Sequence, residues 1–424
     1  MADKIQWAGN TMPKSDDKHL GIMSLDHVKK ARAFHQSFPQ YTVTPLARLD
    51  GQAARLGLSN LCVKDESYRF GLNAFKVLGG SFAMANYIAD ETGKDVAECT
   101  FDYLTSDQLA KDFGQATFFT ATDGNHGRGV AWAANRLGQK AVVHMPKGST
   151  KPRFDNIAAE GATVTIEEVN YDECVRMAAA EADACERGVI VQDTAWEGYE
   201  KIPSWIMEGY GTMLPRLPSS CARWPSTARR TCLSRLAWVR SPAPWWATSP
   251  TCIPITRPPS SWSSALRPPA CTRALPPATA TRASWTATCP PSWPACAVAS
   301  PISWAGISCA TTLPAFVSCP DWVTARGMRT LGAPEKGDPR VISGESGAVT
   351  TGLVETLMLD PEYAELKELI GLDKTSSVLC FSTEATPIPT SIAALFGKAN
   401  IPLANRWGGV NRYRSATSQV DSFV

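Results

Sequence analysis

Two short stretches hold the residue types that could act on a small molecule. In "RFGLNAFK", Lys76 follows Phe75 where a helical pattern begins, and in "TATDGNHGRG", Asp123, Gly124, Asn125 and His126 stand where a strand passes into a helix. An amine is a nucleophile only when it can shed its proton, which partial burial favours. A lysine met alone is most often a solvated helix residue, so its neighbours must carry the argument. At a strand-to-helix junction, backbone N–H groups and a side chain such as Asn125 point toward a ligand at the carboxyl edge of a sheet. An isolated Asp-Gly-Asn is also a common Asx turn capping a helix. Asp123 adds a carboxylate at the same place, either for acid–base work or as an N-cap contributing about 1 kcal/mol.

These residues need a frame, and the run from Leu61 to Asp193 supplies one. Short β-rich runs ("LCVKDE", "TFFTATDG", "AVVHMP", "TVTIEE", "VIVQD") alternate with helical patterns ("AFKVLGGSFAMANYIA", "NHGRGVAWAANRLG", "DECVRMAAAEADACERG"). That rhythm predicts an α/β fold with mainly parallel sheets covered by helices. A helical "AVTTGLVETLML" and a strand-like "SSVLCFST" follow later in the chain.

Taken together, "KDESYRFGLNAFKVLGG" and "TATDGNHGRG" resemble the pyridoxal-phosphate enzymes of the tryptophan-synthase β-type fold, fold type II. With "MPKGS", "QDTAWEGYEKIPSWIM" and "ISGESGAV", the likeness narrows to the diaminopropionate ammonia-lyases and covers residues of about 35 to 215 and 315 to 384. The resemblance implies that Lys76 holds the cofactor as a Schiff base and that Asn125 meets its ring oxygen. Phe75 and Gly124 line the cofactor, and a hydroxyl of Ser382 or Thr383 faces the pyridine nitrogen. Asp123 stands where serine and threonine dehydratases usually carry a small neutral residue. A carboxylate there suits the second amine of a diamino acid and makes Asp123, with Lys76, a catalytic candidate. Asp193, Glu197 and Glu345 are weaker candidates for substrate contacts, for which capping or loop solvation serves equally well. His126 and Arg128 are assigned no role.

The implied reaction is elimination from 2,3-diaminopropionate to pyruvate and two ammonia. The alternatives are a serine/threonine dehydratase-like lyase or a catalytically dead remnant. The implied architecture is a large cofactor domain (1–84 and 196–384) and a small α/β domain (85–195), in a homodimer acting on a small amino acid.

Composition bounds the remaining classes. The 424 residues are 44% apolar, with no run of eighteen apolar residues and a polar, mixed-charge start, so a cytoplasmic protein without a membrane span is expected. The 13 cysteines form no CxxC pair and no Cys/His spacing of a zinc site, so no metal is expected. The net charge of +2 hides an imbalance: residues 216–314 hold ten arginines and no acidic residue, leaving 32 basic against 40 acidic residues elsewhere. A mildly acidic remainder argues against a nucleic-acid partner.

Residues 216–314 also lack Lys, Asn, Gln, His, Tyr, Phe and Met and contain a single glycine. The family's glycine-rich phosphate loop is expected here, where "RLAWVRSPAPWWATSP" stands. Written in GC-rich codons and read two bases later, that stretch becomes "AGVGPLAGAVVGYFA", a phosphate loop entering a helix. Its tryptophan codons force glycines where glycines are needed. With one G restored in front, "ATPIPTSIAALFGKA" after Glu384 likewise becomes "GDTDPDKYRGIVWEG". Residues 216–314 and 385–424 therefore read as out-of-frame translation, and a chain so translated should lack the phosphate loop and core strands. The rival reading is a Pro/Arg/Trp-rich insertion that binds acidic partners. The chain as written is expected to bind pyridoxal phosphate weakly and salt-sensitively, since lost charge-assisted bonds cost roughly 1.5–3 kcal/mol each. Expressing it beside a frame-restored version and comparing visible absorbance and pyruvate release checks this; equal performance refutes the frameshift.

Overall fold

The structure, a computed structural model, describes residues 4–9, 24–213, 230–233, 255–256 and 315–385. The segments read as out of frame lie outside the described residues, apart from Arg230–Leu233, Ile255–Thr256 and Ala385. Met1–Pro387 forms one unit, and the second, Ile388–Val424, lies outside the described residues.

In chain order the elements are β1 (Gln6–Gly9), α1 (Leu25–Gln36), β2 (Leu46–Arg48), α2 (Asp50–Leu56), β3 (Asn60–Asp65), α3 (Val77–Thr92) and two short helices, α4 (Phe101–Leu104) and α5 (Asp107–Asp112). The alternating run follows: β4 (Thr117–Ala121), α6 (Asn125–Arg136), β5 (Lys140–Met145), α7 (Lys151–Ala158), β6 (Thr163–Ile166), α8 (Tyr171–Ala184), β7 (Gly188–Ile190) and α9 (Lys201–Tyr210). The rest is β8 (Arg230–Leu233), β9 (Ile255–Thr256), β10 (Ala315–Ser318), α10 (Asp321–Gly332), α11 (Glu345–Leu359), α12 (Ala364–Ile370) and β11 (Ser377–Ser382).

One sheet has the order β6-β5-β4-β7 and is parallel throughout. Its central strand β4 is buried beyond Thr117, as expected of a parallel strand covered on both faces. The other sheet has the order β2-β3-β11-β8-β9, with β3, β11 and β8 parallel and both edge strands antiparallel. The expectation that the segment 216–314 supplies no core strand is corrected here: Arg230–Leu233 pairs in register with Ser377–Cys380. A ladder needs only main-chain N–H and C=O groups, so any non-proline run can occupy the place.

Register decides what meets at the carboxyl ends. Phe119 of β4 is level with Ile190 of β7, so the turns holding Asp123 and Asp193 leave neighbouring strands at nearly the same height. In the second sheet Ser382 is level with Asp65. Helix α3 packs against α6 and α9, with Leu78, Phe82, Met84 and Ile88 fully buried. It runs unbroken from Val77 to Thr92, so the expected domain boundary after residue 84 falls inside it.

Gly129 sets the separation of α3 and α6. A Cβ there would stand 2.7 Å from Val77 Cα and 3.1 Å from the Lys76 carbonyl carbon, both main-chain atoms that cannot swing aside. Gly129→Ala should therefore lower stability by about 1–3 kcal/mol, the usual range for overpacking, read as a lower urea midpoint at unchanged slope.

Candidate active site

Lys76 is the residue before the first turn of α3, at the end of a loop with unusual backbone. Phe70 (φ 50°) and Asn73 (φ 58°) both adopt left-handed conformations. Asn tolerates that region, whereas a bulky side chain rarely does. Phe70 is held there by buried aromatic packing, with ring centroids 4.9 Å from Trp132 and 5.7 Å from Phe38. The loop is tied to the end of β11, since Phe75 N–H donates to the Thr383 carbonyl (3.2 Å) and Ala385 N–H to the Asn73 carbonyl (2.9 Å).

The Lys76 Nζ lies 2.6 Å from Asp193 Oδ2, and the two side chains are 19% and 13% exposed. Burial alone would lower the Lys76 pKa, but the charges of Asp193, Tyr210 and Asp123 and the bond to Asp193 outweigh it and raise it above the ordinary lysine value. The ammonium also stands over the Phe75 and Tyr210 rings, 5.6 and 5.8 Å from their centroids. Burial would raise Asp193, yet His126 and Lys76 hold its carboxyl below the usual range. Because burial pushes His126 below its own usual value, its imidazole is neutral near pH 7, and there the Lys76 ammonium keeps Asp193 charged.

Asp193 is fixed from behind. Gln192, fully buried, accepts from Thr120 Oγ1 and Ala121 N–H (both 2.9 Å) and donates to Tyr171 Oη (2.7 Å) and Asp193 Oδ1 (3.4 Å). His126 Nε2 bonds the Val191 carbonyl at 2.9 Å, so that nitrogen carries the proton and Nδ1 presents its lone pair. Nδ1 is buried without a hydrogen-bond partner among the described residues, 3.8 Å from Asp193 Oδ2.

Neither Asp123 nor Asn125 is a helix cap. Gly124 is the N-cap of α6 without a side-chain cap bond. The Thr122 hydroxyl takes the Gly124 and Gly127 N–H groups at 3.0 and 3.1 Å instead. That leaves the Asp123 carboxylate available; burial pushes its pKa up, Arg153 opposes, and Glu384 adds to the rise. Asn125 Nδ2 donates to Glu384 Oε2. Glu384 in turn accepts Gly344 N–H on its carbonyl (2.8 Å) and Ser346 N–H on Oε1 (3.4 Å), beside Glu345 at the start of α11. Ser382 is buried at the end of β11, its hydroxyl donating to Ser343 Oγ at 2.9 Å.

The structure thus gathers Lys76, Phe75, Asp123, Asp193, Asn125 and Thr383 around the ends of the two sheets. Glu197 is exposed on a turn and is not among them. Sequence reasoning missed the place of His126, the hydroxyl of Thr122, and both Arg153 and Glu384. Only His126 carried a signal, being the next residue after Asn125.

A pyridoxal group asks for a buried amine, polar partners for its ring and a strand end beside it, and these residues fit. Lys76 supplies the amine. Two buried atoms, His126 Nδ1 at 3.8 Å from Asp193 Oδ2 and Thr194 Oγ1 on the residue after Asp193, have hydrogen-bonding capacity not used among the described residues. The phosphate loop expected after α9 lies outside the described residues.

Comparison with known proteins agrees. A family model described as pyridoxal-phosphate dependent enzyme matches residues 38–221. The diaminopropionate ammonia-lyase of Escherichia coli K12 is 38% identical over 389 residues, covering 91% of this chain and 92% of its own. That of Salmonella typhimurium is 40% identical over 403 residues, covering 92% and 97%. The crystal structure of the Escherichia coli enzyme in complex with D-serine superposes with a TM-score of 0.74 at 33% identity, over 93% of this chain and 98% of that one. With the likeness running through nearly the full length of both partners, the chain belongs to the diaminopropionate ammonia-lyases, within the pyridoxal-phosphate-dependent enzymes.

Proposed function

We propose that the chain catalyses pyridoxal-phosphate-dependent α,β-elimination of 2,3-diaminopropionate, which with one water gives pyruvate and two ammonia. The observation that carries this reading is Asp123, a carboxylate freed from capping by Thr122 and near enough to Lys76 to raise its pKa. Lys76 would hold the cofactor through its amine, and Asn125, Phe75, Gly124, Ser382 and Thr383 would line its ring. When bound, the group supplies an electron sink for the charge left at Cα.

The chain's own residues do the rest. Asp193 holds the Lys76 ammonium in place, and this nitrogen must shed its proton before it can act as nucleophile or base. Asp123 binds the substrate's second ammonium or, as a base, takes the Cα proton, and the β-nitrogen leaves as ammonia. Water then releases the second ammonia. The sheet of β4–β7 carries Asp123 and Asp193, and the sheet of β3 and β11 carries Ser382; we assign them to the small and large domains, in a homodimer. We also propose that residues 216–314 and 385–424 are out-of-frame, supported by the composition of 216–314 and by the family-like sequence that each stretch gives in another frame.

Asp123→Asn should reduce turnover of diaminopropionate far more than that of serine, which has no β-amine; equal losses in steady-state assays would make Asp123 structural. Asp193→Asn removes the largest of the charges that raise Lys76, so that burial, which lowers it, weighs more. Acetylation of Lys76 near pH 8, followed by mass spectrometry, should then run about tenfold faster, one pKa unit being tenfold in free amine. An unchanged rate would show that Asp193 does not control this nitrogen.

A further inference from the structure

Arg153 stands in the first turn of α7, a helix whose first turn holds no acidic residue. A cation there opposes the helix dipole, so something outside the helix must favour it. Among the described residues, its hydrogen bond and its ion pair both go to Asp123: Nη1 donates to the Asp123 carbonyl at 3.0 Å and stands 3.7 Å from Oδ2. Its stem lies over Gly124, with Cδ 3.5 Å from where a Cβ would be. The side chain is 18% exposed, so the ion pair is partly shielded from water.

The groups whose charges act on Asp123 come from four elements. Arg153 on α7 and Lys76 before α3 are cationic, whereas Asp193 after β7 and Glu384 after β11 are anionic. Lys76 is already bonded to Asp193. Without Arg153, three carboxylates would share one ammonium in a partly buried site, and protonation of one of them would relieve the repulsion.

We propose that Arg153 is the positioning residue of Asp123, anchoring its main chain through the carbonyl and keeping its carboxylate charged so that it can receive the substrate's second ammonium. The last clause rests on the function proposed above; the anchoring and the charge do not.

The test uses the full chain labelled with carboxyl-carbon-13 aspartate, without added cofactor. The Asp123 resonance is the one absent from Asp123→Asn, and its chemical shift is followed against pH. In Arg153→Leu the midpoint should rise by about one pH unit, an arginine neighbour being worth one to three. Arg153→Gln, which keeps a donor but no charge, should show the same rise if the leucine variant fails to fold, and Arg153→Lys should restore most of the original midpoint. In the active enzyme the acid limb of kcat/KM for diaminopropionate should move upward in step. An unmoved midpoint in both neutral variants overturns the assignment, even if Asp123→Asn loses diaminopropionate turnover and the proposed function stands. A moved midpoint with full diaminopropionate turnover in Asp123→Asn overturns the function and leaves the electrostatic role of Arg153 intact.

Discussion

The contact on which the site depends is the buried pair between the Lys76 ammonium and the Asp193 carboxylate. Each charge alone would be costly where it sits, and removing one partner of such a pair typically costs 3–5 kcal/mol by leaving the other uncompensated. The pair therefore demands that two distant stretches meet within a hydrogen bond's length, one ahead of α3 and the other after β7. Much of the surrounding structure meets that demand. The register of β4 and β7 sets the height of Asp193, the Gln192 amide fixes its rotation, and the Phe70 loop delivers Lys76.

Close approach of main chains is the second requirement. Gly129 lets α6 lie against the residues flanking Lys76, so the turn that opens α6 and the lysine that precedes α3 share one wall. The loop before Lys76 is also stitched to the end of β11, which brings Ser382 and Thr383 beside Phe75 although they are some three hundred residues later. Behind the loop, the buried Arg69–Glu66 pair at 2.8 Å, with Thr44 donating to Glu66 at 2.7 Å, stiffens the turn from which Phe70 emerges. The site is thus held by packed and hydrogen-bonded neighbours from α3, α6 and the end of β11, as a site that must place reacting atoms requires.

Within this frame the charges are arranged in two layers. Lys76 and Asp193 satisfy each other, while Asp123 faces Arg153 across the opening of α6. His126 stands between strand and carboxylate with one nitrogen bound to the main chain and the other without a hydrogen-bond partner among the described residues. Asp123 is shielded from a capping role by Thr122, a residue whose hydroxyl performs the task that the sequence assigns more readily to Asp or Asn.

By itself the sequence determined the alternation of strands and helices through residue 193, the placing of Lys76 and Asn125 at helix starts, and the break in composition at 216. Hydrophobic periodicity and turn chemistry are local, so they survive in one dimension. It also carried the motif pair that identified the family. Only the tertiary structure decided that Asp193, one of three weak candidates, touches Lys76 while Glu197 faces water, because strand register and neighbour order are properties of the folded sheet. The same holds for Arg153 and Glu384. Their side chains reach Asp123 and Asn125 across 30 and 259 residues, and no spacing rule connects residues that meet only when helix and strand ends are brought together.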